Sequence, residues 1–129
     1  MNLNQLALTI VRVAAAGTMI IHGITRLSLG TVSNFDGWLT SLGFPPYTAW
    51  GITFFEILGG LVLIWGKKWV PIICIIFCVQ LIMGIALVHF TEGWFVVGAG
   101  RNGMEYSILL IVSFLAIGYS SVGKETAPK

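Results

Sequence analysis

The sequence predicts an all-α integral membrane protein: a four-helix bundle of spanning helices with a short interfacial helix between spans one and two. The chain is 57% hydrophobic and only 9% charged, whereas an ordinary soluble domain is about 25% charged. It also contains four continuous apolar runs, each near the roughly 20 residues that one helix needs to cross the hydrocarbon core. Because four such runs occupy most of the 129 residues, a single transmembrane domain is expected.

The four apolar runs favour helices over strands, because they are continuous rather than alternating and a helix satisfies its own backbone hydrogen bonds in lipid. The predicted spans cover about residues 3–27, 47–66, 69–90 and 103–121. A cleaved signal peptide is a weaker alternative for the first span. No basic segment precedes that span, and Arg12 and His22 interrupt its apolar run.

Two longer connections join the spans at one end of the bundle. In the first, Phe35, Trp38, Leu39 and Leu42 repeat at helical spacing and predict a short amphipathic helix lying in the interface. The second is apolar and glycine-rich over residues 93–100. Two interpretations remain open: the connections form a lid over the bundle, or their tryptophans belong to an aromatic belt at headgroup level. The belt would include Trp38, Trp50, Trp65, Trp69 and Trp94.

The lysines predict the orientation of the bundle, because loops rich in Lys and Arg remain on the cytoplasmic side. They lie between spans two and three and in the carboxyl-terminal tail: Lys67, Lys68, Lys124 and Lys129. Both termini are therefore expected in the cytoplasm. The net charge is only +2, and the chain has no basic run that would follow a phosphate backbone, so nucleic-acid binding is disfavoured.

Three polar residues interrupt the spans near their middle: Arg12, Glu56 and Gln80. Counted from the cytoplasmic helix ends at 1.5 Å per residue, they reach a similar depth. A charged residue at that depth costs about 2.5–3.5 kcal/mol when it faces lipid. We therefore predict a buried clasp in which Arg12 pairs with Glu56 and Gln80 completes the hydrogen bonding. The clasp has two interpretations, as a structural device that fixes helix register or as a proton or quinone site.

A second polar cluster is predicted at the outer end of the bundle. Its members are His22, Arg26, His89, Trp94, Arg101, Asn102 and Glu105. A quinone would hydrogen-bond to either histidine, with Glu105 passing a proton and Trp94 or Phe95 covering the ring. A less favoured interpretation makes His22 and His89 the axial ligands of a haem. A purely structural alternative makes Asn102 and Glu105 a capping box for the fourth span.

Cys74 and Cys78 lie four residues apart inside the third apolar run. That helical spacing suits a disulfide poorly. We interpret both as small buried packing residues rather than as redox or metal groups.

Several motifs together resemble the DoxX family of small four-helix bacterial membrane proteins. They include Arg12, His22-Gly23, Leu-Gly-Phe-Pro-Pro at 42–46, Phe-Glu-Ile-Leu-Gly-Gly at 55–60, His89, and Asn-Gly-Met-Glu-Tyr at 102–106. The resemblance singles out Arg12, Glu56, His89 and Glu105 as positions that match the pattern. Arg26 is a departure, since many members are expected to have lysine there.

The resemblance also implies a function and a location. Some relatives are subunits of quinone-linked oxidoreductases and others belong to membrane redox defence complexes. We therefore expect a small subunit of a quinone-linked or respiratory-type complex in the bacterial inner membrane, with other membrane subunits as partners. The alternative is a structural or assembly subunit without a ligand of its own. The sequence holds no dinucleotide-binding glycine motif and no Cys-x-x-Cys pair, so a complete enzyme in this chain alone is not expected.

A third possibility, a pathway for protons or small solutes, is less well supported. Four helices in one chain enclose only a thin conduit, and the sequence shows no inverted repeat of the kind found in transporters.

Overall fold

The computed structural model describes residues 2–125, with side chains as far as Val122. The helices are α1 (Leu3–Ser28), α2 (Val32–Ser41), α3 (Thr48–Trp65), α4 (Val70–Glu92) and α5 (Glu105–Glu125). Within α4, Ile85–His89 forms one π-helical turn. Four of these helices are long and apolar enough to cross a membrane, and residues 2–125 contain no strand. The predicted all-α membrane bundle is confirmed, and the chain is a multi-pass membrane protein.

The spanning helices form a ring of antiparallel neighbours. Helix α1 packs along α3 and α4 packs along α5, and smaller contacts of α3 with α4 and of α1 with α5 close the ring. The centre is aromatic: the ring of Phe77 lies 4.8 Å from that of Phe55 and 5.0 Å from that of Phe114. Phe77 and Phe114 are completely buried. This stack joins three of the four spanning helices.

Small residues let α1 and α3 approach closely. A methyl group added at Gly60 would lie 2.5 Å from Ile20 Cγ1 and 3.0 Å from the carbonyl oxygen of Ala16. One added at Gly23 would lie 2.8 Å from the carbonyl oxygen of Thr53. Small residues at such crossings are typical of membrane helix pairs, because association there depends on close van der Waals packing.

The two ends of the bundle differ. The amino-terminal end holds the start of α1 and the α3–α4 turn, where Arg12 of α1 hydrogen-bonds the carbonyl oxygens of Leu63 and Gly66. A cation at this position complements the negative end of the α3 dipole. The opposite end, which we call the α2 end, holds the last turn of α1, helix α2 and the α4–α5 connection. Helix α2 buries Val32 and Leu39 against α3.

Asp36 of α2 caps α3 from outside that helix. Its carboxylate accepts hydrogen bonds from the backbone N–H groups of Tyr47 (2.9 Å) and Ala49 (3.0 Å). Tyr47, the residue that precedes α3, has a left-handed backbone (φ 69°) and makes no side-chain capping bond. The carboxylate therefore satisfies helix-start donors that the local sequence leaves open. Asp36 is a structural residue that the sequence analysis missed.

Replacing Asp36 with alanine is expected to lower the free energy of unfolding by about 1 kcal/mol, as loss of a helix cap usually does. Asparagine should retain part of the effect, since its oxygen still accepts one of the two hydrogen bonds. Thermal unfolding in detergent measures both variants. Asp36→Ala melting like the wild type would show that the cap does not hold α2 on α3.

Candidate functional site

A buried carboxylate organises the polar residues between the helices. Glu56 of α3 is 3% exposed and pairs with Arg26 of α1, with Oε2 2.8 Å from Nη1. The Nε2 of Gln80, on α4, donates to Glu56 Oε1 at 2.6 Å, and Arg26 Nη1 also donates to Thr53 Oγ1 at 3.0 Å. The Arg26 guanidinium lies 4.8 Å from the centre of the Phe35 ring. We call Arg26, Thr53, Glu56 and Gln80 the Glu56 cluster.

The predicted ion pair between Arg12 and Glu56 is wrong. That prediction assumed that α1 and α3 end flush at the amino-terminal end. Helix α1 has 26 residues and α3 only 18. The additional residues of α1 extend beyond the carboxyl end of α3, at the amino-terminal end of the bundle. Arg12 therefore meets the carboxyl end of α3, while Gly23 is level with Glu56. The contact between Gln80 and Glu56 was predicted and is present.

A cavity of about 690 Å³ lies between the helices toward the α2 end. Its wall is largely apolar and is formed by residues of all five helices and of the α4–α5 connection. The polar residues in its wall are Thr18, His22, Arg26, Glu56, Gln80, His89, Asn102, Tyr106 and Ser107. The Glu56 cluster and part of the predicted outer cluster therefore belong to one site.

His89 is the last residue of the π-helical turn and lines this cavity. Its Nδ1 lies 2.7 Å from the carbonyl oxygen of Asn102. Since a carbonyl oxygen only accepts, we assign the proton to Nδ1, which leaves Nε2 for another partner. Asn102 supplies this carbonyl from a left-handed backbone conformation (φ 58°). Single π-helical turns inside α-helices frequently occur at functional sites.

The α4–α5 connection (residues 93–104) is held by backbone hydrogen bonds rather than by a capping box. The N–H groups of Gly103, Met104 and Glu105 donate to carbonyl oxygens of residues 93–95 at 3.0–3.1 Å. The Glu105 carboxylate accepts from Val96 N at 2.9 Å. The predicted capping box of Asn102 and Glu105 is therefore wrong, because the connection already satisfies these donors and α5 begins only at Glu105.

The predicted outer cluster divides into two groups. His22, Arg26, His89 and Asn102 line the cavity, whereas Trp94, Arg101 and Glu105 do not. Trp94, which was expected to cover a ligand ring, is 49% exposed and does not line the cavity. Arg101 is also exposed.

Some residues of the site were missed by the sequence analysis. Thr53 belongs to the Glu56 cluster, and Tyr106 and Ser107 line the cavity. The position of Thr53, three residues before Glu56 and so on the same face of α3, was a signal for it. No comparable signal was present for Tyr106 or Ser107, because their place in the wall depends on how α5 packs.

Among residues 2–122, whose side chains the structure describes, no group of three or more His, Cys, Asp or Glu residues is placed to hold a metal ion. Cys74 and Cys78 are buried free thiols, as expected for packing residues. They lie against α5, where Cys78 Sγ is 3.8 Å from the carbonyl oxygen of Ile111.

Comparisons with known proteins agree with the resemblance seen in the sequence. The family model DoxX matches residues 7–90, a segment that includes Arg12, His22, Glu56 and His89 but ends before the α4–α5 connection. No curated protein and no solved structure matches the chain. Since the family match covers well over half of the sequence, this four-span membrane protein belongs to the DoxX family.

Proposed function

We propose that the chain is a small integral subunit of a quinone-linked, respiratory-type oxidoreductase and that its cavity binds the quinone head group. One observation carries the proposal: an apolar cavity within the spanning helices has histidines from two of them in its wall. Its volume, about 690 Å³, falls within the range of about 300–1,000 Å³ typical of small-molecule sites. Such sites combine apolar walls with a few polar groups that orient the ligand.

The polar groups of the wall fit the two oxygen atoms of a quinone ring. Neutral His89, with its proton on Nδ1, offers Nε2 as an acceptor for the hydroxyl of a quinol. The imidazolium form would instead donate from Nε2 to a quinone carbonyl. Gln80 has one N–H on Glu56 and a second one for another acceptor. The site therefore suits both oxidation states of the ligand.

The cavity also has an exit for an isoprenoid tail. Ile76, Val79, Met83 and Leu87 lie along one side of α4, and all of them line the cavity and remain 36–55% exposed. The cavity therefore reaches the apolar outer surface of the bundle, where acyl chains lie. A head group held inside would leave its tail in the bilayer.

In this role the chain binds and orients a ligand, and partner membrane subunits contribute the electron carriers. We place it in the bacterial inner membrane, with the amino-terminal end in the cytoplasm. Lys67 and Lys68 lie at that end, and positive loops favour the cytoplasmic side. The side chain of Lys124 and all of Lys129, which also entered the orientation argument, lie outside the described part of the chain.

The test is quinone binding by the protein purified in mild detergent. Lipid extraction should recover quinone from the preparation, and decylubiquinone should quench the fluorescence of Trp38, which lines the cavity, in a saturable manner. Replacing His22 and His89 together with alanine should weaken binding about tenfold, the value of one good hydrogen bond. Arg101→Gln, an exposed residue outside the wall, is the control and should bind normally. Absence of both recovered quinone and saturable quenching would refute the proposal.

A structural or assembly subunit is the second candidate. One observation favours it: every buried side-chain nitrogen or oxygen atom in the described part of the chain already has a hydrogen-bond partner. The buried side-chain atoms of the Glu56 cluster thus have hydrogen-bond partners without a ligand. Partner subunits that copurify with a chain unable to bind quinone would support this alternative. The absorption spectrum of the same preparation tests the less favoured prediction of a haem between His22 and His89.

A further inference from the structure

A second, smaller pocket of about 370 Å³ lies at the amino-terminal end of the bundle. It is enclosed by the first turns of α1, the α3–α4 turn and the last turns of α5. Its polar wall consists of Gln5, Thr9, Arg12, Lys67, Ser120 and Ser121. We call it the basic pocket, because two of its residues are cationic and none of the acidic side chains that the structure describes lines it.

We propose that the basic pocket binds the phosphate head group of an anionic phospholipid. Arg12 donates through Nε and Nη2 to two backbone carbonyls, which carry no formal charge. Among residues 2–122, whose side chains the structure describes, its Nη1 makes no hydrogen bond, which leaves two N–H groups for another acceptor. Guanidinium and ammonium groups together bind phosphate oxygens well. The proposal is independent of the quinone site, which lies toward the other end of the bundle.

Lys67 supplies the second charge. It lies two residues after the carboxyl end of α3, is exposed, and has no ion pair among the described residues. The neighbouring Lys68 does not line the pocket, and its Nζ lies 5.7 Å from the centre of the Trp69 ring. The two lysines therefore differ in position while sharing the same charge.

The surroundings favour a lipid over a free anion. Trp65 and Trp69 on either side of the lysines are 73% and 57% exposed, and exposed tryptophans mark the headgroup level of a membrane. Leu8 and Ile117 give the pocket an apolar wall beside the cations. A phospholipid matches both the cationic and the apolar part of the pocket wall, since its phosphate would contact the cations and its acyl chains the apolar surface. Basic pockets between spanning helices are known lipid headgroup sites.

Native mass spectrometry tests the proposal on the full chain offered equal amounts of dioleoylphosphatidylglycerol and dioleoylphosphatidylcholine. The wild type should retain phosphatidylglycerol preferentially. Lys67→Gln should reduce that preference about fivefold, as expected for one cation near a membrane surface. Lys68→Gln removes the same charge one residue away and should change the preference little. Because both lysines are exposed, both variants should fold, and their thermal unfolding verifies this.

Three results would overturn the proposal. The first is a wild type without preference for phosphatidylglycerol. The second is a Lys68→Gln variant that reduces the preference as much as Lys67→Gln does, which would indicate diffuse surface charge. The third is displacement of the lipid by millimolar inorganic phosphate at constant ionic strength, which indicates a site for free anions. The proposal is supported if the wild type retains the lipid in the presence of inorganic phosphate and the Lys67→Gln variant alone loses it.

Discussion

Replacing Glu56 with alanine is expected to lower the free energy of unfolding by about 3–5 kcal/mol, the usual effect of removing one partner of a buried ion pair. The carboxylate is almost completely buried and pairs with Arg26, whose side chain is only 19% exposed. Without Glu56, the guanidinium retains Thr53 as a hydrogen-bond partner but has no countercharge. Thermal or denaturant unfolding in a single detergent measures the loss. Glu92→Ala, the removal of an exposed carboxylate on α4, is the matched control and should have little effect.

A double-mutant cycle identifies the partner of Glu56. Arg26→Leu and Glu56→Leu should show strong coupling, and the double variant should recover much of the stability that each single variant loses, because no charge is then left unpaired. The stability losses of Arg12→Leu and Glu56→Leu should be nearly additive, since Arg12 bonds to carbonyl oxygens at the carboxyl end of α3 and not to Glu56. Coupling of Glu56 with Arg12 and not with Arg26 would contradict the structure.

Composition and hydropathy were enough to predict the spanning helices, because a bilayer requires long apolar helices whatever their packing. The short helix α2 was likewise predicted from the spacing of Phe35, Trp38 and Leu39, and it is present. These features depend on local sequence. The sequence therefore contained the information needed for them.

The partner of Glu56 depends instead on the offset between two helices of unequal length. Nothing in the sequence states that α1 projects past α3 at the amino-terminal end, so a count from the helix ends paired the wrong arginine. The signal that was available is Gly23, whose lack of a side chain permits the contact with Thr53 and Glu56 that sets the offset. Reading Gly23 and Gly60 as contact points between α1 and α3 would have aligned Arg26 with Glu56.

The site shows the same division between local and non-local information. His22 and His89 were expected near one another from their depth, and both line one cavity. The roles of Asn102 and Glu105 were not predictable, because hydrogen bonds of the α4–α5 connection decide them. A capping box is a local pattern. Here the backbone N–H groups of residues 103–105 instead donate to carbonyl oxygens eight to eleven residues earlier in the chain.

Replacing Gly23 with alanine is expected to destabilise the protein by about 1–3 kcal/mol, the usual range for overpacking a tight contact. The added methyl group would lie 2.7 Å from Ile57 Cγ1 and 2.8 Å from the carbonyl oxygen of Thr53. The side chain of Ile57 has some freedom to move, but the backbone of α3 is fixed by its own hydrogen bonds. Helices α1 and α3 must therefore separate near Glu56.

Gly17→Ala is the matched control for this change, because Gly17 is in the same helix and has no atom within 4 Å of an added methyl group. Alanine there should leave stability unchanged or raise it by up to about 1 kcal/mol through its higher helix propensity. Equal melting temperatures for the two variants would show that α1 and α3 do not meet at Gly23. If they do meet there, Gly23→Ala should also weaken the coupling between Arg26 and Glu56 in the double-mutant cycle. The glycine contact would then be what brings the buried arginine and carboxylate together at the cavity wall.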